Sequence, residues 1–285
     1  MKRYKTFKTS VISRLFGCFA SHAFPSFFQK IINRTYTSLM HLDLKEFEPC
    51  ENYPTLNALF TRKLLSPRPF TAQEEIFISP CDSFISALGT IEQQLALQIK
   101  GRAYCVSDLL SDYVLGSSKQ KLEDGYYLNF YLSPKDYHRY HVPIDMRVTK
   151  AIHVSGKLYP VNFKWLNKVD GLFCENERVI LECYSKDEKL FYMVFVGALN
   201  VGKMCFHFDE RIQTNAKASM EQLYVYDNLL LKKGDELGYF QMGSTIVMLF
   251  EKESFMPLVE EGTKISFAQT LGKATHEEVA TTPVE

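Results

Sequence analysis

Apolar positions recur at helical spacing twice near the start of the chain, and the pattern then changes to short strand-like runs. Over residues 10–24, Val11, Ile12, Leu15, Phe16, Phe19, Ala20 and Ala23 fall on one face of a helix that Pro25 ends. A second set, Phe27, Phe28, Ile31, Ile32, Thr35, Tyr36 and Leu39, continues at the same period. Residues 57–64 predict a further helix, stopped before Pro67 and Pro69, and 107–114 a short one. Strands are predicted at 76–78, 84–91, 126–132, 146–154, 178–184, 190–196, 204–208 and 245–250. These runs are aromatic and β-branched, with glycine and charged turns between them and no regular helix. The pattern predicts an α+β fold, a mostly antiparallel β domain carrying N-terminal amphipathic helices, and not a doubly wound one. Residues 233–240 read as a turn between strands.

Charge divides the chain where hydropathy does not. Lysine plus arginine and aspartate plus glutamate number 33 each, so the formal net charge is zero. Up to Leu42 there is no acid, while Lys2, Arg3, Lys5, Lys8, Arg14, Lys30 and Arg34 are all cationic, leaving an anionic remainder. A basic, aromatic, amphipathic head of this kind suits an interfacial anchor on anionic lipid. Plain packing of both helices on the body fits the same pattern. A signal peptide fits poorly, because Arg14 cuts its apolar stretch, and an organelle transit peptide stays open. No uncharged apolar run reaches the roughly 18 to 20 residues needed to span a bilayer. On this pattern alone, anchoring and plain packing of the head both stay open, and no composition shift marks a clean boundary after residue 45. The neutral balance argues against a nucleic-acid partner.

Seven scattered cysteines form no C-x-x-C pair and no metal-ligand spacing, so they read as reduced, small apolar groups, with no metal site. Chemistry concentrates in three other places. Asp82, in Ser79-Pro80-Cys81-Asp82-Ser83, stands at a strand-to-turn corner, where an aspartate ordinarily closes a turn. In the run from Ser133 to Pro143, Ser133 caps a predicted short helix, Pro134 opens it, and His138 and His141 project from one face. Two histidines beside Tyr137 and Arg139 suggest proton transfer. Gly243-Ser244-Thr245 exposes a hydroxyl next to an unshielded carbonyl, and a serine there needs a base and an orienting carboxylate, for which His141 and Asp82 are available.

These pieces, in this order, resemble the self-cleaving, pyruvoyl-dependent phosphatidylserine decarboxylases of prokaryotic type. The matching residues are Ser79 to Asp82, Lys100-Gly101, Tyr131 to Pro143, Asn176 to Ile180, Val196 to Ala198, and Lys233 to Gly238 running into Gly243-Ser244-Thr245. Two departures stand out: Ser83 where the family has glycine, and Met242 where it has leucine. The resemblance implies a relay in which Asp82 orients His141, His141 takes the Ser244 proton, and the oxygen attacks the Gly243 carbonyl. Cleavage then yields a β subunit, 1–243, and an α subunit, 244–285, that begins with a covalent pyruvoyl group made from Ser244. It further implies that this group takes phosphatidylserine through a Schiff base to phosphatidylethanolamine and CO2, with His138 serving decarboxylation or reprotonation. Tyr137 and Arg139 are candidate substrate contacts, each equally open to a structural role. The resemblance favours the anchor reading, with residues 1–45 as a helical membrane-association segment and 46–285 as the catalytic domain, so that the protein is a zymogen of phospholipid biosynthesis, peripheral on the cytoplasmic face of the cell membrane, with a homo-oligomer left open. A serine hydrolase using Asp82, His141 and Ser244 without self-cleavage is the alternative; a lipoyl-type carrier module fits less well, lacking a lysine at the hairpin tip.

Overall fold

The computed structural model describes residues 8–99, 102–199, 203–214, 221–241 and 244–275. Lys2, Arg3, Lys5, Lys100, Gly101, Met242 and Gly243 lie outside them, as do the side chains of Val11, Ile12 and Arg14.

Seven helices, mostly single turns, punctuate sixteen strands among these residues. The helices are α1 (Lys8–Ser21), α2 (Ser26–Met40), α3 (Leu56–Phe60), α4 (Val106–Leu109), α5 (Gly116–Gln120), α6 (Phe163–Leu166) and α7 (Leu172–Glu175). The strands are β1 (Ile76–Ile78), β2 (Ser83–Thr90), β3 (Leu95–Ile99), β4 (Arg102–Cys105), β5 (Tyr126–Leu132), β6 (Arg139–His141), β7 (Met146–Val154) and β8 (Arg178–Ser185). They continue with β9 (Leu190–Val196), β10 (Met204–Phe206), β11 (Gln222–Leu231), β12 (Glu236–Phe240), β13 (Ser244–Phe250), β14 (Phe255–Pro257), β15 (Lys264–Ile265) and β16 (Thr270–Ala274). The fold is α+β and its named strand pairs are antiparallel.

An eight-stranded sheet in the order β11-β7-β8-β9-β13-β5-β2-β15 forms the centre, with smaller sheets β1-β16-β14 and β10-β12-β6 beside it. Both faces of the large sheet are covered. In β13, Ile246, Met248 and Phe250 enter one core, while Val247 and Leu249 enter the other. That is why β13 reads as an unbroken apolar run where a half-exposed strand would alternate.

Two local expectations are corrected. Residues 133–141 form no helix: Asp136 N–H closes a turn on the Ser133 carbonyl at 2.9 Å, and the chain then enters β6. Strand β6 pairs with β12, placing Arg139 opposite Tyr239, Tyr140 opposite Gly238 and His141 opposite Glu236. Residues 236–240, read as part of a turn, are therefore a strand, and tertiary pairing has overridden the local helical signals. A side chain on Gly238 would meet the Cys205 carbonyl, so glycine at this point lets β12 approach β10.

The head behaves unlike an ordinary packed helix pair. Phe16, Ala20, Ile32 and Tyr36 meet Cys50, Leu56 and Leu59 in a small cluster that runs across residue 45. The two fully buried residues of α2, however, are polar. Gln29 donates to Asn33 at 2.8 Å, and Asn33 donates to the Cys50 and Tyr53 carbonyls at 2.9 Å. Facing outward are Leu15, Phe19, Phe27, Phe28, Ile31 and Leu39, with Phe27 71% exposed. A large outward apolar face over a hydrogen-bonded inner one is the reverse of what water alone selects. No described helix is long and apolar enough to cross a membrane.

Candidate active site

The turn Ser133–Asp136 and strand β6 set out the titratable groups. The Asp136 carboxylate accepts from both the backbone N–H and the hydroxyl of Ser133, each at 2.7 Å, so it is occupied in fixing the turn. His138 follows, fully buried, with its Nδ1 on the Asp136 carbonyl at 2.8 Å and its ring 4.0 Å from that of Phe60. A carbonyl accepts only, so Nδ1 carries the proton and Nε2 is a free acceptor. That Nε2 has no hydrogen-bond partner. Burial, reinforced by the charge of Arg62, pushes the His138 pKa down to about 3, so the imidazole is neutral at physiological pH.

His141 is held in the same tautomer. Its Nδ1 donates to the Gly234 carbonyl at 3.0 Å, its Nε2 accepts from the Tyr137 hydroxyl at 3.0 Å, and its ring lies flat on Phe267 at 3.6 Å. Burial pushes its pKa down to about 4, which leaves it a neutral base. The two histidines are thus placed by a turn and a strand, and not by one helical face.

Asp82 lies just ahead of β2, but its carboxylate makes no hydrogen bond to His141. Arg68 holds both of its oxygens, one through Nη1 and the other through Nη2 at 3.0 Å, and the Phe267 N–H donates to it at 2.8 Å. The same guanidinium grips Glu46 at 2.8 and 3.0 Å, giving a chain Glu46–Arg68–Asp82. Asp82 therefore reaches His141 through Phe267, whose backbone it fixes and whose ring supports the imidazole. Ser83 opens β2 opposite Ile265, with its hydroxyl buried and unpartnered.

Ser244 opens β13 opposite Leu132, fully buried, and its hydroxyl has no hydrogen-bond partner. Its neighbour in the expected cleavage, Gly243, lies outside the described residues. Arg139, a candidate substrate contact, is instead consumed internally: it pairs with Glu236 and donates to the Thr61 carbonyl at 2.9 Å and the Arg62 carbonyl at 3.2 Å. Sequence reasoning did not single out Arg62, Arg68 or Phe267, which meet the motif residues from distant parts of the chain. All seven cysteines are free thiols, and no group of His, Cys, Asp and Glu suited to a metal occurs among the described residues.

The family pattern described as phosphatidylserine decarboxylase matches residues 56–273. A phosphatidylserine decarboxylase proenzyme of Helicobacter pylori (strain ATCC 700392 / 26695) is 46% identical over 266 residues, covering 93% of this chain and 97% of that protein. The proenzyme of Campylobacter jejuni is 47% identical over 265 residues, 91% of this chain and 97% of its own. That of Nitrosospira multiformis is 40% identical over 229 residues, 77% of each. With a family match over most of its length, and relatives this similar from end to end, the chain belongs to the phosphatidylserine decarboxylase family.

Proposed function

We propose that this chain is a proenzyme that cuts itself between Gly243 and Ser244, and then converts phosphatidylserine to phosphatidylethanolamine and CO2 at a membrane surface, using a pyruvoyl group made from Ser244. The observation that carries this reading is the Ser244 hydroxyl, fully buried and without a partner at the mouth of a buried strand. A cut before Ser244 that left an ammonium would bury an unpaired charge, which costs several kcal/mol. A ketone at the same place carries no charge, so the burial of β13 suits the pyruvoyl terminus.

Maturation uses the chain's own groups. Neutral His141 takes the Ser244 proton at Nε2 in place of the Tyr137 hydroxyl, and the serine oxygen attacks the Gly243 carbonyl to turn the amide into an ester. Loss of the Gly243 carboxylate by β-elimination leaves dehydroalanine, whose tautomer hydrolyses with release of ammonia. In turnover the pyruvoyl carbonyl supplies an electrophile for the substrate amine and a sink for the electrons that CO2 leaves behind. His138, with Nε2 free, is the group that serves decarboxylation or relays a proton to the carbon that has lost CO2.

The serine hydrolase alternative is not supported. The family pattern and the relatives that match over most of the chain are those of phosphatidylserine decarboxylase proenzymes. Mass spectrometry of the purified wild-type protein tests the proposal. The expected result is two chains, one of residues 244–285 lighter by one ammonia than a serine-started peptide. A single intact chain with full decarboxylase activity would sink it.

The outward apolar face of α1 and α2, with the cationic head, supports residues 1–45 as the segment that lies on anionic lipid at the cytoplasmic face. Exchanging Phe27, Phe28 and Ile31 together for serine removes only outward side chains, so the fold should hold. Each such side chain contributes up to roughly 1.5–3 kcal/mol when fully buried in lipid. Binding to vesicles containing phosphatidylserine should fall about 100-fold or more in sedimentation assays. Unchanged binding would place the anchor elsewhere.

A further inference from the structure

A cavity of about 510 Å³ opens between the segment that follows the head, His41 to Phe47, and the turn carrying Lys135, Asp136 and Tyr137. Its charges pair off unevenly. Lys45 is bonded to Asp43, Arg68 to Glu46 and Asp82, and the Asp136 carboxylate to Ser133. Arg62 and Lys135 are left with no carboxylate partner.

Arg62 is the unusual member, because its residue is only 3% exposed. Nη2 donates to the Lys135 carbonyl at 2.8 Å and the Asp136 carbonyl at 3.2 Å, and the guanidinium lies 4.5 Å from the centre of the Phe47 ring. Nε and Nη1 are buried without any hydrogen-bond partner. A buried guanidinium with two idle donors and no carboxylate bonded to it, Asp82 and Asp136 acting only at a distance, is costly to keep, and a bound anion would supply what the protein does not. Arg62 lies two residues after Phe60, whose ring packs at a tilt against His138, so one short stretch of chain positions both this cation and the imidazole.

We propose that Arg62, with Lys135 at the cavity rim, binds the phosphodiester of the lipid substrate. The substrate carries two anions, and the chemistry separates them. A cation clamped on the carboxylate would stabilise the charge that must disappear as CO2 leaves, and so would slow the reaction. The phosphodiester is unchanged by the reaction and can be held throughout. The location fits a headgroup: the cavity is lined by His41, and Leu39, two residues earlier, belongs to the outward apolar face of α2. Acyl chains beside α2 and a phosphodiester at Arg62 would then direct the serine end toward the His138 side of the turn.

The proposal rests on the decarboxylase reading, and the test separates the two. Wild-type enzyme and Arg62→Met are compared in mixed micelles, with the 244–285 fragment checked in both. Two competitive probes are used: dihexanoylphosphatidylethanolamine, which has the phosphodiester and no carboxylate, and O-hexadecylserine, which has the carboxylate and no phosphodiester. In Arg62→Met the apparent KM for phosphatidylserine and the inhibition constant of the first probe should both rise about 10- to 100-fold, the range for a lost charge-assisted hydrogen bond. Inhibition by O-hexadecylserine should change less than about threefold, within the scatter of a surface effect. Equal losses on both probes assign Arg62 to the carboxylate or to structure, and no loss on either removes it from binding; each outcome overturns the proposal. Should Arg62→Met not mature, Lys135→Gln, an exposed change, carries the same comparison with a smaller expected shift, and equal effects on the probes overturn the proposal there too. Wild-type protein that releases no CO2 from phosphatidylserine would instead sink the decarboxylase reading itself.

Discussion

Ser244→Ala leaves a single uncut chain of 285 residues and abolishes CO2 release from phosphatidylserine. The substitution removes one oxygen atom that is buried and has no hydrogen-bond partner. Deleting an unsatisfied buried hydroxyl is nearly neutral or stabilising, and alanine at the first position of β13 keeps the contacts that the backbone makes with β5. The thermal midpoint should therefore match wild type or exceed it slightly. Loss of cleavage in a protein that melts normally isolates the chemistry from the fold. His141→Ala should also stay uncut, because no other neutral imidazole accepts at that point, although it removes a ring stacked on Phe267 and should melt lower. Denaturing electrophoresis decides both: the appearance of the 42-residue fragment in Ser244→Ala would remove Ser244 from the reaction.

The second large effect belongs to His138. His138→Asn is expected to cleave as wild type does and then to release CO2 about 100- to 10,000-fold more slowly, the usual range for a lost general acid–base group. The distinction between the histidines follows from their partners. Nε2 of His141 already holds the Tyr137 hydroxyl, whereas Nε2 of His138 is idle in the uncut chain and so is available to a substrate. Burial holds His138 neutral down to about pH 3, so its decarboxylation rate should show no limb at the ordinary histidine value near 6.5. Asparagine is preferred to alanine here because the ring packs on Phe60, and emptying the site would cost roughly 2–3 kcal/mol or more in cavity energy. If His138→Asn fails to cleave, the residue belongs to maturation instead.

The strands were the most legible part of the fold. β1, β5, β7 and β9 fall on the ends that the alternation and the bounding turns imply, since aromatic and β-branched runs report their own preference for a pleated surface. Strands with weak local signals were not legible. β6 carries helix-starting residues just ahead of it, and β12 holds glycine and charges; they form because each supplies the other with a pairing partner across roughly a hundred residues. The same limit applied to the site. Ser244, His138, His141 and Asp82 stood out as motif residues, but Arg68, Arg62 and Phe267 carry no sign of their roles, because an arginine or phenylalanine in a loop is ordinary until the sheet brings it to a carboxylate or an imidazole.

The head shows the division most clearly. Its cationic charge and helical period are properties of adjacent residues, and the sequence alone determined them, along with the chemistry available to the Gly-Ser step. Only the tertiary structure decided which way α2 faces: Asn33 reaches the Cys50 and Tyr53 carbonyls, and that pair of hydrogen bonds turns Phe27, Phe28 and Ile31 outward. It likewise decided that Asp82 is held by Arg68 and meets His141 only through Phe267, 185 residues away. Local preference is written in neighbouring side chains, whereas the partner of a buried charge or polar group is fixed by sheet register and packing, to which the whole chain contributes.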